Sequence, residues 1–190
     1  MRKLEIGSGS KRIAGFETLD IVSNPTVDYL SDASKNLPFK NDTFDLIYSS
    51  HVLEHIPWYL AETTLREWVR ILTPGGILEV WVPNGLKICE TLVRVESGEK
   101  GLVEKDGWYK FNSRKDPCVW AAGRIFTYGD GTGNLNHSNW HRSIFTPRYL
   151  KDLFSIVGLI KIEEMDRSEV RGEDHGWINL GVKETKPKEQ

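Results

Sequence analysis

The chain opens on a segment able to hold a nucleotide. Leu4-Glu5-Ile6-Gly7-Ser8-Gly9-Ser10 passes from a strand-like run into two glycines, which let backbone approach a ligand closely and present free N–H groups. Asp20, at the end of the next apolar run, can accept two hydrogen bonds from a ribose diol. Asp32 can accept from an adenine amine while Ala33 offers its backbone N–H to a ring nitrogen. Each has a blander reading: a ligand-free tight turn, a surface aspartate, a simple turn. Together they favour a nucleotide-like ligand. The dinucleotide fingerprint needs a third glycine at position 12, where Arg12 stands, so an NAD-dependent oxidoreductase is the weaker reading.

Histidines supply the second chemistry. His141 and His137 close a long aromatic stretch, and a histidine near neutral pH can take the proton of a hydroxyl as its oxygen attacks. A histidine that merely hydrogen-bonds the surrounding chain is the plain alternative for either; His141 is the first choice. His51, Glu54 and His55 fall on one helical face, a spacing able to hold a metal. We nevertheless expect no metal there.

These residues need elements to position them. Five short apolar runs (residues 3–6, 18–22, 27–30, 44–48 and 77–82) have the length and composition of buried strands. A helix is expected over 57–72, with Ala61, Leu65, Trp68, Val69 and Leu72 on one face, ended by Thr73-Pro74-Gly75-Gly76. A second begins at Thr146 as N-cap, with Pro147 at the first helical position and Gly158 beyond its end. Two closing strands follow, over 159–165 and 177–182. Strands alternating with helices imply an α/β fold whose ligands bind at the carboxyl ends of the strands.

Residues 84–140 read differently, as a loop-rich insertion with weak periodicity, many glycines and many aromatics. Trp108, Tyr109 and Trp140 are candidates to contact an acceptor there, with Arg114 and Arg124 available for phosphate or carboxylate. A satellite hydrophobic cluster or a dimer interface would account equally well for the aromatics.

The run "DTFDLIYSSHVLEH", the phrase "LTPGGILEVWVPN" and the opening glycine turn together resemble the class I S-adenosylmethionine-dependent methyltransferases, over about residues 3–84 and again over 141–182. The resemblance implies a Rossmann-like, mostly parallel sheet with an antiparallel C-terminal strand, trimmed first helices and an insertion after strand 5. It implies S-adenosylmethionine as cofactor and S-adenosylhomocysteine as product. Gly7, Ser8 and Gly9 would cradle the methionine part, with Glu5 behind them reaching its amino group through water. Asp20 and Ile21 would hold ribose and adenine, Asp32 and Ala33 the adenine edge. Ser50 and His51 would line the path of the methyl group. The pattern His-x-x-x-Phe-Thr at 141–146 resembles a subgroup associated with polysaccharide biosynthesis, pointing to a sugar hydroxyl on a glycan or its precursor. Another small-molecule or lipid-like acceptor, or a non-catalytic binding or scaffold role, stands as the alternative.

Bulk properties narrow the partners. The chain has 190 residues, about one domain, with 84–140 as a cover inserted into it. Its net charge of −2 offers no global attraction for nucleic acid, and no apolar run approaches the length of a membrane span. With no secretory leader pattern and two distant cysteines, Cys89 and Cys118, we expect reduced thiols and a cytoplasmic location. A homodimer is compatible with these features.

Overall fold

Apolar runs too short for helices satisfy their backbone by pairing edge to edge. The computed structural model, which describes residues 1–107 and 110–188, gathers seven such runs into one sheet. They are β1 (Lys3–Ile6), β2 (Glu17–Asp20), β3 (Tyr29–Leu30), β4 (Phe44–Ser50), β5 (Leu72–Pro83), β6 (Ile160–Met165) and β7 (Asn179–Thr185). Their spatial order is β3-β2-β1-β4-β5-β7-β6. The first five are parallel, and β7 runs antiparallel to both β5 and β6. Chain order reverses between β1 and β4, so the loops leaving these strands diverge and open a crevice at their carboxyl ends.

One sheet face carries the main core. Helix α1 (Ala61–Ile71) buries Ala61, Leu65, Trp68 and Ile71 against it, at the helical spacing expected for its apolar stripe. The C-terminal helix, α5 (Pro147–Ile156), adds Leu150, Leu153 and Phe154. Its entry is capped as expected, the Thr146 hydroxyl accepting from the Tyr149 N–H at 3.2 Å. The Thr73–Gly76 sequence that follows α1 lies inside β5 as a bulge, where Gly75 takes φ +81° and its N–H donates to the Lys186 carbonyl.

The insertion is more regular than its sequence suggests. Residues 84–140 contain α2 (Gly85–Glu96), α3 (Leu102–Asp106) and α4 (Pro117–Phe126). Side-chain caps start two of them: Asn84 accepts from the Lys87 N–H, and Asp116 from those of Cys118 and Val119. Ile88, Val103, Trp120, Ala121 and Ile178 make their own small core beneath. Asp106 ties this unit together by accepting from the indoles of Trp120 and Trp177 and from the guanidinium of Arg124.

The opposite sheet face has no helix from the β1–β2 or β2–β3 connections among the described residues. Phe16, Leu46, Tyr48 and Trp81 are sealed instead by Ile13, by Met165 at the end of β6 and by Val170 from the chain between β6 and β7. Gly181 permits this seal, because a Cβ there would stand 2.5 Å from the Trp81 ring. Arg171 clamps the strap with two hydrogen bonds to Glu79, at 2.6 and 2.7 Å.

One buried group opposes this packing. Glu184 on β7 is 1% exposed and shares its face with Val182, yet neither carboxylate oxygen has a partner. Burial, and then the charge of Glu79, push its carboxyl well above the ordinary range. A raised folded-state pKa costs stability as pH climbs past the unfolded value of about 4.3. Glu184→Gln should therefore raise the melting temperature at pH 8, by the equivalent of about 1–3 kcal/mol. In thermal scans across pH 4–8 the gain should shrink towards the acid end; a uniform loss of stability would contradict this account.

Candidate functional site

A cleft of about 1060 Å³ lies at the carboxyl ends of β1, β4 and β5. One wall is the glycine turn and the residues after it, from Gly7 to Ala14, with Glu5 behind. The other comes from the end of the insertion, through Arg124, Thr127, Tyr128, Asn139 and His141. Ser50 and His51 form the floor between them.

The turn is shaped by two left-handed glycines. Gly7, at φ +79°, lies so close to Val52 that a Cβ would stand 2.0 Å from Cγ2, whereas at Gly9, φ +56°, a Cβ would meet nothing within 4 Å. Between them Ser8 is buried, its Oγ without a hydrogen-bond partner in the cleft wall. Glu5 is 7% exposed and accepts one hydrogen bond, from the Ile13 N–H at 3.2 Å. Burial raises its carboxyl above the usual range. An orphaned hydroxyl, an open cradle and a desolvated carboxylate suit a polar, partly cationic ligand such as the methionine end of S-adenosylmethionine.

The remaining nucleotide candidates are differently placed. Asp20 tethers the turn, accepting from the Gly9 N–H at 2.9 Å and the Val22 N–H at 2.8 Å. Ile21 is 55% exposed beside it. Asp32 caps its own turn by accepting from the N–H and hydroxyl of Ser34, and the Ala33 carbonyl takes the Trp68 indole N–H. None of these four lines the cleft.

Four of the five histidines meet on the cleft's inner side around Glu54. His51 follows β4 in a left-handed conformation, φ +55°, its N–H held by the Trp81 carbonyl. Its Nδ1 stands 3.0 Å from Glu54 Oε1, and its Nε2 2.9 Å from Asn179 Oδ1. The Asn179 amide donates its own N–H to Asp174, so the oxygen faces His51 and both ring nitrogens face acceptors. Burial opposes the ring's charge, but the Glu54 charge and these contacts outweigh it and raise the His51 pKa. The His51 ring lies over that of His175, centroids 3.8 Å apart.

His141 is held differently. The Phe126 carbonyl accepts its backbone N–H, and the Ile125 carbonyl faces its Nδ1 at 3.1 Å. A carbonyl can only accept, so Nδ1 carries the proton and Nε2 keeps its lone pair, 3.9 Å from Glu54. Burial lowers the His141 pKa to about 4, against the pull of Glu54. His55 repeats the arrangement, its Nδ1 3.4 Å from the Trp140 carbonyl and its ring 4.8 Å from that of His141. Burial alone would raise the Glu54 carboxyl, but His51, His55 and His141 hold it at about 2. Its oxygens nevertheless lack an aligned hydrogen bond, so the His51 contact is an ion pair in geometry.

The other candidates separate by location. His137 accepts the Asn139 N–H on Nδ1 and does not line the cleft. Arg124 does line it, with its guanidinium on Asp106. Arg114 is exposed and lies outside the cleft. Trp140 donates to the Asn134 carbonyl and borders a second groove of about 440 Å³ with Phe111, Val119 and Phe126. Trp108 and Tyr109 lie outside the described residues. Sequence reading missed His175 and Asn179, whose only signal was a polar pair at the mouth of the last strand.

Comparison with known proteins follows the same lines. The family described as "Methyltransferase domain" matches residues 4–80. The phthiotriol/phenolphthiotriol dimycocerosates methyltransferase of Mycobacterium leprae (strain TN) is 39% identical over 57 residues, 28% of this chain and 19% of that protein. Among solved structures, the Burkholderia thailandensis 1,6-didemethyltoxoflavin-N1-methyltransferase, with 1,6-didemethyltoxoflavin and S-adenosylhomocysteine bound, superposes with TM-score 0.57. It is 14% identical, over 98% of this chain and 71% of that one. The CurJ carbon methyltransferase gives 0.55 at 14% identity, over 98% of this chain. The chain thus spans about a fifth of the M. leprae relative and 48% of the CurJ structure. Residues 4–80 thus resemble a methyltransferase domain, and the whole sheet shares the fold of these methyltransferase structures.

Proposed function

We propose that the chain transfers a methyl group from S-adenosylmethionine to a hydroxyl oxygen, with a sugar hydroxyl on a glycan or glycan precursor as the acceptor. The observation that carries the reading is the single cleft that joins the glycine turn to the His141 wall. When bound, the cofactor supplies an electrophilic methyl carbon on a sulfonium sulfur. Gly7, Ser8 and Gly9 would hold its methionine part, and Glu5 would favour the cationic amino group. The adenosine half would lie near the open edge at Gly9, where Asp20 holds the Gly9 N–H and Ile21 is exposed beside it, although neither side chain lines the cleft. His51 would fix the floor as a charged group and not as a base, since both its nitrogens are engaged.

The acceptor side is polar, with Thr127, Tyr128, Asn139, His55 and His141 lining it, which suits a compound rich in hydroxyls. His141 Nε2 has a lone pair available for the hydroxyl hydrogen as the oxygen attacks. With its pKa lowered to about 4 it is a weak base, so alignment and exclusion of water carry most of the acceleration. A lipid-like alcohol is the second reading. It is favoured by the apolar groove beside the cleft and by the named substrate of the M. leprae relative.

Calorimetric titration should give heat with S-adenosylmethionine and S-adenosylhomocysteine and none with NAD; the reverse result would sink the proposal. Glu5→Gln should weaken S-adenosylmethionine binding about tenfold, the worth of one charge-assisted hydrogen bond, without lowering the melting temperature. Gly7→Ala should instead destabilise the fold through Val52.

On a panel of glycan and lipid alcohols, His141→Ala should reduce kcat by at least about 100-fold. Its affinity for the methyl donor should stay within about twofold of the parent. Binding without turnover on any acceptor, or turnover unchanged by His141→Ala, would favour a non-catalytic or differently catalysed protein.

A further inference from the structure

We infer that Glu54, His55 and His141 form a binding site for one divalent first-row metal ion of the imidazole-preferring kind, such as zinc, cobalt or nickel. The three offer ligand atoms that all lie within 4.8 Å of one another. Ligands sharing one ion at about 2.1 Å stand roughly 3–4 Å apart, so a side-chain adjustment of about 1 Å closes the set.

Three independent features point to a cation. First, each imidazole turns Nδ1 to a backbone carbonyl, His55 to Trp140 and His141 to Ile125. That contact fixes the tautomer and leaves Nε2 as a lone pair, the outer-sphere arrangement metal-binding histidines use. Second, Glu54 is 1% exposed, yet neither carboxylate oxygen has an aligned hydrogen bond. A carboxylate so buried is otherwise costly to keep charged. Third, His55 and His141 both line the cleft, so the ion would have protein on one side and open positions facing the ligand space. Open positions beside two imidazoles and a carboxylate mark a reactive rather than a structural site.

His51 stays outside the set as the partner that orients Glu54. The main chain supports the cluster as well, because the Glu54 carbonyl accepts from the N–H groups of Arg142 and Ser143. An oxygen ligand from the cleft can complete the shell, and a hydroxyl held there becomes more acidic. That use rests on the methyl-transfer reading; the binding of the ion does not. With the ion in place the His141 lone pair is occupied, so the proton of a metal-held hydroxyl would leave to bulk water through the open cleft.

The test is titration of chelator-treated full chain with Co²⁺, followed by visible absorption and calorimetry. One equivalent should bind, and saturation should raise the melting temperature. His55→Ala and His141→Ala should each weaken binding by more than about 100-fold, while His137→Ala, outside the cluster, should bind as the parent does. Both ligand variants remove partly exposed side chains, so they test the site even if Glu54→Gln fails to fold. No stoichiometric binding, or binding within about threefold of the parent in both variants, would overturn the inference. Titrating S-adenosylmethionine into the same metal-free protein separates the two proposals. Donor binding with no metal binding overturns only the ion site, and metal binding with no donor binding overturns only the methyl-transfer reading.

Discussion

An ionised carboxylate buried beside a sheet must find positive or hydrogen-bonding company, and Glu54 organises the inner half of this molecule by that demand. Its side chain draws His51 from the end of β4, His55 from the following turn and His141 from beyond α4. Its carbonyl pins residues 142 and 143 at the same time. A single residue therefore joins the floor of the cleft to its far wall. The left-handed backbone at His51 belongs to the same arrangement, since it turns the ring towards both Glu54 and Asn179.

The trimmed half of the fold meets its structural needs by other means. With no helix leaving β1, the turn after it is held by side chains: Asp20 on the Gly9 N–H, Asn24 and Thr26 on the Gly9 carbonyl. Arg12 fills the vacant side of the sheet, reaching the Thr26 carbonyl and the Asp28 carboxylate. The sheet face that crossover helices would cover is closed by the Arg171 strap. Phosphate-type recognition by a helix dipole has no scaffold here, and hydrogen bonds from loops take its place.

How much was legible in the sequence depended on range. Strands, α1 and α5 show in local periodicity, and the glycine turn declares itself by its own composition. The helices of the insertion were hidden because their apolar stripes are short and interrupted by polar residues, while their caps, Asn84 and Asp116, resemble ordinary loop residues. The aspartates at 20 and 32 were read as ligand contacts, but each also has a local hydrogen bond to make; Asp32 makes it within its own turn, away from the cleft. The histidine cluster was only half visible. His51, Glu54 and His55 stand together in sequence, but His141 and His175 reach them through folding alone, and no spacing rule encodes that meeting.

The junction at Asp106 bears on how such a cleft changes over evolutionary time. Its carboxylate accepts from α4 through Trp120 and Arg124 and from the chain before β7 through Trp177, and the two indoles stack with planes 6° apart. The insertion is therefore riveted to the part of the chain that also carries Asn179 and the Arg171 strap. A graft that exchanges residues 84–140 for those of a relative would sever the rivet unless Trp177 travels with the segment. The insertion and the chain before β7 form a two-piece module, split in sequence and joined at one carboxylate.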